Sequence, residues 1–578
     1  MAETDFLIVG GGTAGCVLAN RLSALGAEVR LIEAGRDTPP GAVPDDIADS
    51  YPRSYYNEAY MWRGLTADQW AAGTGAKTPF PQGRVMGGGS SIMGMIALRG
   101  QPGDYDGWAD HGASGWAWND VLPYFRRLEH DLDFGGEQHG TDGPVRVHRV
   151  GTGEWPPFCR AVGQAAAGKG WATVNDMNAD FGDGYCQLPL SVTPAHRVSS
   201  AAAYLDADTR ARPNLRVEPE TTVEQLLFDG YRCIGATAIR GDAQIVLRAR
   251  HVILSAGAIQ SPAILMRSGV GPASHLESLG IRPVAALEGV GGNLQNHPVC
   301  YLATHVPRDA RQDPDLRPQF VSALRYSSRD VPSHRGDMHL LVVNKSSWHA
   351  VGAAIAGIGV TLVQPRSRGT VRLLSRDPGV LPDVRFRMLT DQLDFERMVG
   401  GLQLALDLMR DSRVRPVRHE LFAAGYSGIV RRLNKPGMVN ELVTRALAAG
   451  LDGPDIVRRT MINYGIAGGD ADESRMGSEQ WLETTIRRHT FGTYHPSGTC
   501  RMGSADDPGA VIDADCSVFG VDGLSVVDAS VMPTVTRGNT NIPVTMIAEH
   551  AAERIARVAS GASSMALPAE GLPGKDSQ

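Results

Sequence analysis

Two residues near the C-terminal end have side chains suited to moving a proton and holding an oxygen. His495, in "FGTYHPSGTCRMG" (Phe491 to Gly503), is boxed in by Pro496 and Gly498. An imidazole, with an ordinary pKa of about 6.5, can take a proton at neutral pH. By type alone it also reads as a turn residue before a proline. Asn539, in "VTRGNTNIP", offers a carboxamide that can hydrogen-bond an oxygen; between Gly538 and Thr540 it reads as well as a loop or helix-cap residue. His297, in "EGVGGNLQNHP" with Gly291, Asn293 and Asn296, sits in a polar turn and reads as structural. The seven cysteines are scattered and form no CxxC, which points away from a disulfide framework and from zinc. Cys16 and Cys500 read as small buried fillers.

A base is useful only against held reactants, and glycine-rich stretches supply a means of holding them. "FLIVGGGTAGCVLANRLSALGAEVRLIEAG" reads as a strand (Phe6 to Val9), a glycine turn, an amphipathic helix through Leu25 and a second strand, a βαβ unit. Gly10, Gly12 and Gly15 form G-x-G-x-x-G: a tight turn, a close approach for a pyrophosphate, and close helix–strand packing. Glu33 ends the second strand, where a carboxylate accepts from an adenosine ribose diol and disfavours a 2′-phosphate. This motif leaves FAD and NAD both open. "PQGRVMGGGSSIMGMIALRG" (Pro81 to Gly100) offers further backbone N–H groups to an anion or a ring carbonyl, which a nicotinamide enzyme does not need. "VILSAGAIQSPAILMRSGVGP" starts as a strand at Val252 and becomes a helix, with Pro262 expected at an early helical position.

The chain has 578 residues, beyond the ~250–300 at which single cores stop growing, so two large units are expected. With 42% hydrophobic and 21% charged residues it is ordinary for a soluble globular protein. The balance of 56 Lys+Arg against 63 Asp+Glu, net −7, argues against a nucleic-acid binder, although Arg431 and Arg432 mark a local basic patch. No apolar run approaches the ~18 residues of a membrane span, and the N-terminus enters a strand directly; a cytoplasmic protein without stable membrane insertion is the expectation. "GIGVTLVQPRSRGTVRLLS" alternates like two hairpin strands about a turn, and "DFERMVGGLQLALDLMRD" is helical. Residues 561–578 are small, polar and Pro/Gly-rich, and read as a flexible tail.

These stretches, with "YHPSGTCRMG" and "VVDASVMPTVTRGNTNIPVTMIAEHAA", resemble the glucose-methanol-choline (GMC) oxidoreductase family from about Asp5 to Val558. Runs such as "GRVMGGGSSI" and "HGTDGPVRVHRV" are most similar to the branch that oxidises furanic alcohols. The resemblance implies an α/β fold with an α+β substrate part. A Rossmann-like FAD domain is expected from 1–155, 196–308 and 486–560, and a substrate domain, an antiparallel sheet with helices, from 156–195 and 309–485. The stretch 425–477 reads as a helical insertion, two helices separated by Gly453-Pro454, forming a lid, an oligomer contact or a solvated surface.

The resemblance also implies roles. His495 becomes the base that takes a hydroxyl proton, and Asn539 the residue that orients the substrate oxygen. FAD would lie against Gly10, Gly12, Thr13, Ala14, Gly15, Glu33 and Ala34; against Met86, Gly87, Gly89, Ser90, Met93 and Gly94; and against Val223, Ala256, Gly257, Asp528, Ala529, Asn539 and Thr540. Met93 stands where most relatives carry Asn, replacing an amide by a weak thioether acceptor. Ile92 replaces the histidine of members that attach FAD covalently, so FAD is expected to bind non-covalently, and no metal is expected. The implied reaction is FAD-dependent oxidation of a primary alcohol, aromatic or furanic, to the aldehyde and onward through its hydrate, with O2 giving H2O2. A choline-dehydrogenase-like enzyme using a quinone or other acceptor, or a hydroxynitrile-lyase-type flavoprotein, are the rival readings.

Overall fold

The computed structural model describes residues 4–69, 77–329, 335–425, 428–467 and 471–560; the expected flexible tail lies outside them. The fold is α/β. Its first sheet has five parallel strands in the order Leu524–Val526, His251–Leu254, Phe6–Val9, Val29–Ile32 and Leu215–Glu218. Phe6, Leu7, Ile8 and Val9 are all buried, as expected of a parallel strand covered on both faces. Helix Thr13–Ala24 covers one face and packs against the C-terminal helix Asn541–Ser560. Segments 528 residues apart therefore meet at the first glycine turn, where the hydroxyl of Thr13 donates to Oδ1 of Asn541 at 2.9 Å. Among the described residues no helix is long and apolar enough to cross a membrane.

The second large sheet runs in the order Leu421–Ala424, Pro298–His305, Ile355–Leu362, Met338–Val343, Phe320–Tyr326, Gly184–Gln187 and Thr173–Val174, with Phe491–Gly492 added beside Pro298–Val299. Only its last pair is parallel. Helices Pro157–Gly168 and Gln392–Met409 close one face. Phe158, Val162, Phe395, Met398 and Leu402 there form a core with Leu302, Leu340, Ile358 and Val360 of the strands. Because side chains alternate along a strand, the intervening residues Val299, Tyr301, His339, Leu341 and Thr361 point to the other face, which borders a cavity.

Three expectations need correction. Strand Pro298–His305 was assigned to the FAD segment 196–308, yet it lies inside the antiparallel sheet, hydrogen-bonded on both sides. "GIGVTLVQPRSRGTVRLLS" is no hairpin: Ile355–Leu362 stays in the large sheet while Thr370–Arg372 pairs with Asp383–Arg385 in a separate four-stranded sheet. The chain is carried across by Asp394, whose carboxylate accepts from the backbone N–H groups of Arg366 and Ser367. Finally, Pro262 lies inside helix Gly257–Arg267. A proline there leaves the carbonyl of Ala258 without its helical donor, and the hydroxyl of Thr499 supplies the missing bond at 2.7 Å.

Where two helices about Gly453-Pro454 are expected, the stretch 428–467 holds Gly428–Asn434, Met438–Leu451, then Asp455–Thr460 after Gly453-Pro454, and a wider turn Met461–Ile466.

Candidate active site

The first glycine turn shows why those glycines are needed. Gly10 has φ +107°, and a Cβ on it would lie 2.5 Å from the carbonyl oxygen of Ser255; a Cβ on Gly15 would lie 1.9 Å from that of Gly10. The first glycine thus lets two strands converge, and the third seats the helix. Gly12 borders a cavity of about 230 Å³ instead, and no side chain caps the helix start there, so its free N–H groups are open to an anion. The second glycine loop rests on the first, with the N–H of Gly87 donating to the carbonyl of Gly11 at 2.7 Å.

Gly10, Gly12, Thr13, Ala14, Glu33, Ala34 and Val223 line this cavity. So do Gly89, Ser90, Met93, Gly94, Ala256, Gly257, Asp528, Ala529, Asn539 and Thr540. Gly15, Met86 and Gly87 do not: Gly15 packs against the strand, and Met86 is buried beneath Gly11. Glu33 accepts from the backbone N–H groups of Gly11 (2.8 Å) and Gly35 (2.7 Å), so its carboxylate fixes the turn while still bordering the cavity. Burial pushes its pKa up, against the pull of those two donors. Asp528 likewise accepts from Gly257 N (2.8 Å), Ser261 Oγ (2.6 Å) and Ser530 N (2.7 Å), tying the third glycine stretch to the C-terminal segment. A cavity lined by an uncapped helix end and by Glu33 suits a dinucleotide whose pyrophosphate meets that helix.

A second cavity, about 320 Å³, lies over the open face of the antiparallel sheet. Its walls are mainly apolar and aromatic, including Tyr55, Tyr301, Phe320, Leu341 and Phe422. The two cavities share five lining residues: Met93, Gly94, Tyr494, His495 and Asn539. The base and the amide expected from the sequence therefore stand together at the junction, and Met93, the departure from the family pattern, stands in the same wall.

There Asn539 Nδ2 lies 3.2 Å from His495 Nε2. An amide nitrogen can only donate, so Nε2 of His495 accepts and its ring proton sits on Nδ1. That Nδ1–H faces two acceptors, Thr493 Oγ1 and His297 Nδ1, each at 2.9 Å. Thr493 in turn donates its hydroxyl to the carbonyl of His297 at 3.2 Å. Burial lowers the pKa of His495 to about 4, keeping the imidazole neutral and proton-accepting at pH 7. His297, fully buried, is held well below its ordinary value by burial and by its neighbours His495 and His339.

The turn that carries His495 is built for rigidity. Gly498 has φ +87°, and a Cβ there would lie 2.7 Å from the carbonyl oxygen of Asn293 and from Nε2 of Gln295. Tyr494 adopts φ +64°, unusual for a side chain of its size. Its ring is held against Phe80 and Tyr55, and its hydroxyl meets that of Tyr55 at 2.7 Å. Next to it, the N–H of His495 donates to Oδ1 of Asn296 at 3.0 Å.

Sequence reasoning did not find several of these partners. His297 was read as a structural turn residue, although its ring touches the base. Thr493 lies inside the quoted motif without having been singled out. His339 and Thr361 are cross-strand neighbours on the open face of the sheet. His339 Nε2, Thr361 Oγ1 and His297 Nε2 are buried without a hydrogen-bond partner among the described residues, and all three residues line the second cavity. A polar residue in an otherwise apolar strand, "MHLLVV", was the available signal for His339.

Comparison with known proteins agrees with this geometry. The GMC oxidoreductase family matches in two parts, its N-terminal region over residues 4–299 and its C-terminal region over 365–548. A 5-(hydroxymethyl)furfural oxidase of Methylovorus sp. (strain MP688) is 38% identical, over 95% of this chain and 98% of its own. An oxygen-dependent choline dehydrogenase of Photobacterium profundum is 30% identical, over 95% and 92%. The crystal structure of a pyridoxine 4-oxidase from Mesorbium loti superposes with a TM-score of 0.77 at 26% identity, covering 96% of this chain and 99% of that one. With both regions matched in order, and the glycine turns, His495 and Asn539 gathered around two cavities that share a wall, the chain belongs to the GMC oxidoreductase family.

Proposed function

We propose that this FAD-dependent alcohol oxidoreductase oxidises primary alcohols carried on an apolar aromatic or furanic ring, converting RCH2OH and O2 to RCHO and H2O2. The observation that carries this reading is the 3.2 Å approach of His495 and Asn539 in the wall shared by the dinucleotide-type cavity and the aromatic one. FAD, held along Gly12, Glu33, Val223 and Asp528, supplies when bound the acceptor for the two electrons of the alcohol.

The side chains do the rest. An alcohol oxygen entering between His495 and Asn539 accepts from Nδ2 of the amide and donates to Nε2 of the imidazole. This replaces the direct bond between them and fixes the carbinol carbon. Nε2 then takes the hydroxyl proton. The resulting imidazolium is stabilised at Nδ1 by Thr493 Oγ1 and His297 Nδ1, two neutral acceptors that hold the ring without trapping its charge. The unpartnered groups of His297, His339 and Thr361 offer sites for a second oxygen of the substrate, or for the second hydroxyl of an aldehyde hydrate, which would be oxidised to the acid in the same way.

Choline is a poorer fit. The aromatic wall can face a quaternary ammonium, but among the described residues that line the second cavity there is no Asp or Glu to balance its charge.

The test is anaerobic mixing with 5-hydroxymethylfurfural and vanillyl alcohol: the flavin absorbance bleaches within the enzymatic time scale. Flavin that stays oxidised with every aryl and furanic alcohol tried ends this reading. Parallel assay of H2O2 and of dye reduction separates O2 from a quinone or another acceptor.

A further inference from the structure

Helix Met438–Leu451 is amphipathic in the wrong sense for a helix of a free surface. Thr444, Ala448 and Leu451 are buried against the body, yet the stripe turned to solvent is also apolar. Met438 is 81% exposed, Val439 74% and Leu442 64%. The stripe continues beyond Gly453-Pro454, where Ile456 is 75% and Tyr464 76% exposed. Seven of the thirteen large apolar side chains exposed among the described residues fall between positions 438 and 464, on Met438–Leu451, Asp455–Thr460 and Met461–Ile466, which pack against one another, so they gather in one region of the surface.

Its rim is basic. Residues 428–467 hold six Lys and Arg against three Asp and Glu, in a chain whose overall excess is acidic; Arg458 is buried against Glu420 and Asp455 and takes no part in the rim, whereas Lys435, Arg445 and Arg459 are exposed, Arg459 while pairing with Glu420. Lys435 pairs with Glu58 at 2.7 Å and Arg445 with Glu441 at 2.5 Å, but all four side chains are at least 45% exposed. Such pairs contribute little and leave the cations able to exchange partners. A symmetric contact between two copies would set basic rim against basic rim. An anionic lipid surface complements both parts of the patch: apolar side chains enter between headgroups, Tyr464 sits at their level, and Arg and Lys meet the phosphates.

We propose that the face formed by Met438–Leu451, Asp455–Thr460 and Tyr464 adsorbs to an anionic phospholipid surface without spanning it. The same segment roofs the aromatic cavity, since Leu433, Asn434, Gly465 and Ile466 line it. Adsorption therefore turns that roof toward the lipid. The inference rests on the surface alone and stands whatever alcohol the enzyme takes.

The experiment is co-sedimentation of the full-length, FAD-loaded enzyme with phosphatidylcholine vesicles, with and without about one third phosphatidylglycerol. The bound fraction is expected to rise at least about tenfold with the anionic lipid and to fall again at high salt. The double variant Leu442→Asp, Ile456→Asp is expected to lose about tenfold or more in partitioning. Its thermal midpoint and its rate on a water-soluble alcohol should stay unchanged. Wild-type enzyme that remains in the supernatant with both vesicles overturns the proposal. So does a wild-type dimer in analytical ultracentrifugation that the double variant converts to monomer, because a second copy then covers the patch.

Discussion

At the scale of single residues, the site turns on one neutral imidazole. His495→Gln keeps the size and one hydrogen-bonding group but cannot serve as the base, and anaerobic flavin reduction is expected to slow by about 10²–10⁴-fold. Asn539→Ala leaves the base and removes the donor that positions the oxygen; a loss of up to about 100-fold in the same stopped-flow assay is expected. The direction of the pKa shift sets the pH dependence. Burial lowers His495 from the ordinary imidazole value to about 4, so the proton-accepting form persists through neutral pH and is lost as pH falls through that value. The reduction rate should be level from pH 8 down to about 6 and fall on the acid side; an acid limb centred near 7 would show that burial does not control this ring. His495 and Asn539 were legible because they sit in short motifs. His297 was not, because nothing near "NLQNHP" in sequence indicates which distant ring it touches.

At the scale of elements, the informative positions are those where one segment completes another. Thr499, two residues beyond the catalytic turn's Ser497, satisfies the carbonyl that Pro262 leaves open in a different helix. Thr499→Val keeps the shape and deletes the donor, leaving a buried carbonyl unpaired; thermal or urea unfolding should show a loss of about 1–3 kcal/mol. Thr499→Ser should retain most of that stability, which distinguishes the hydrogen bond from packing. The helix Gly257–Arg267 was expected to start near its proline, because a proline early in a helix leaves nothing unsatisfied. It starts earlier because Asp528, more than 250 residues away, accepts from its first N–H. The supposed hairpin after Ile355 failed for a similar reason: alternation marks strands, but pairing partners are chosen by the rest of the chain.

At the scale of the molecule, a buried ionic network ties the stretch after the second glycine loop to the rest. Arg99 pairs with Glu129, Arg149 binds Asp131 at 2.8 Å, and His139 reaches Glu129 at 2.9 Å and Asp176 at 2.6 Å. Glu129, Asp131 and His139 lie close enough together to hold a metal ion, but the two guanidinium groups already supply the positive charge. Burial alone would lower His139; its hydrogen bonds to Asp131, Asp176 and Glu129 outweigh that and push it up to about 10. A folded-state pKa raised in this way gives stability that is full below about pH 6.5 and is lost progressively as pH rises toward 10. His139→Gln is therefore expected to cost about 3 kcal/mol in urea unfolding near pH 6 and distinctly less near pH 10.

By itself, the sequence determined the family, the glycine turn and acidic strand end of a dinucleotide-type site, and the two side chains, His495 and Asn539, that the fold brings within 3.2 Å of each other. Those features depend on residue types at short spacing, where backbone sterics and local hydrogen bonding act. Only the tertiary structure decided that Pro298–His305 belongs to the antiparallel sheet, that His297 and Thr493 hold the ring of His495, and that His339 and Thr361 border the second cavity. The strands concerned are apolar on both faces, so their pattern does not say which face meets a core and which a cavity. That choice is made by long-range pairing and by the helices that cover one side.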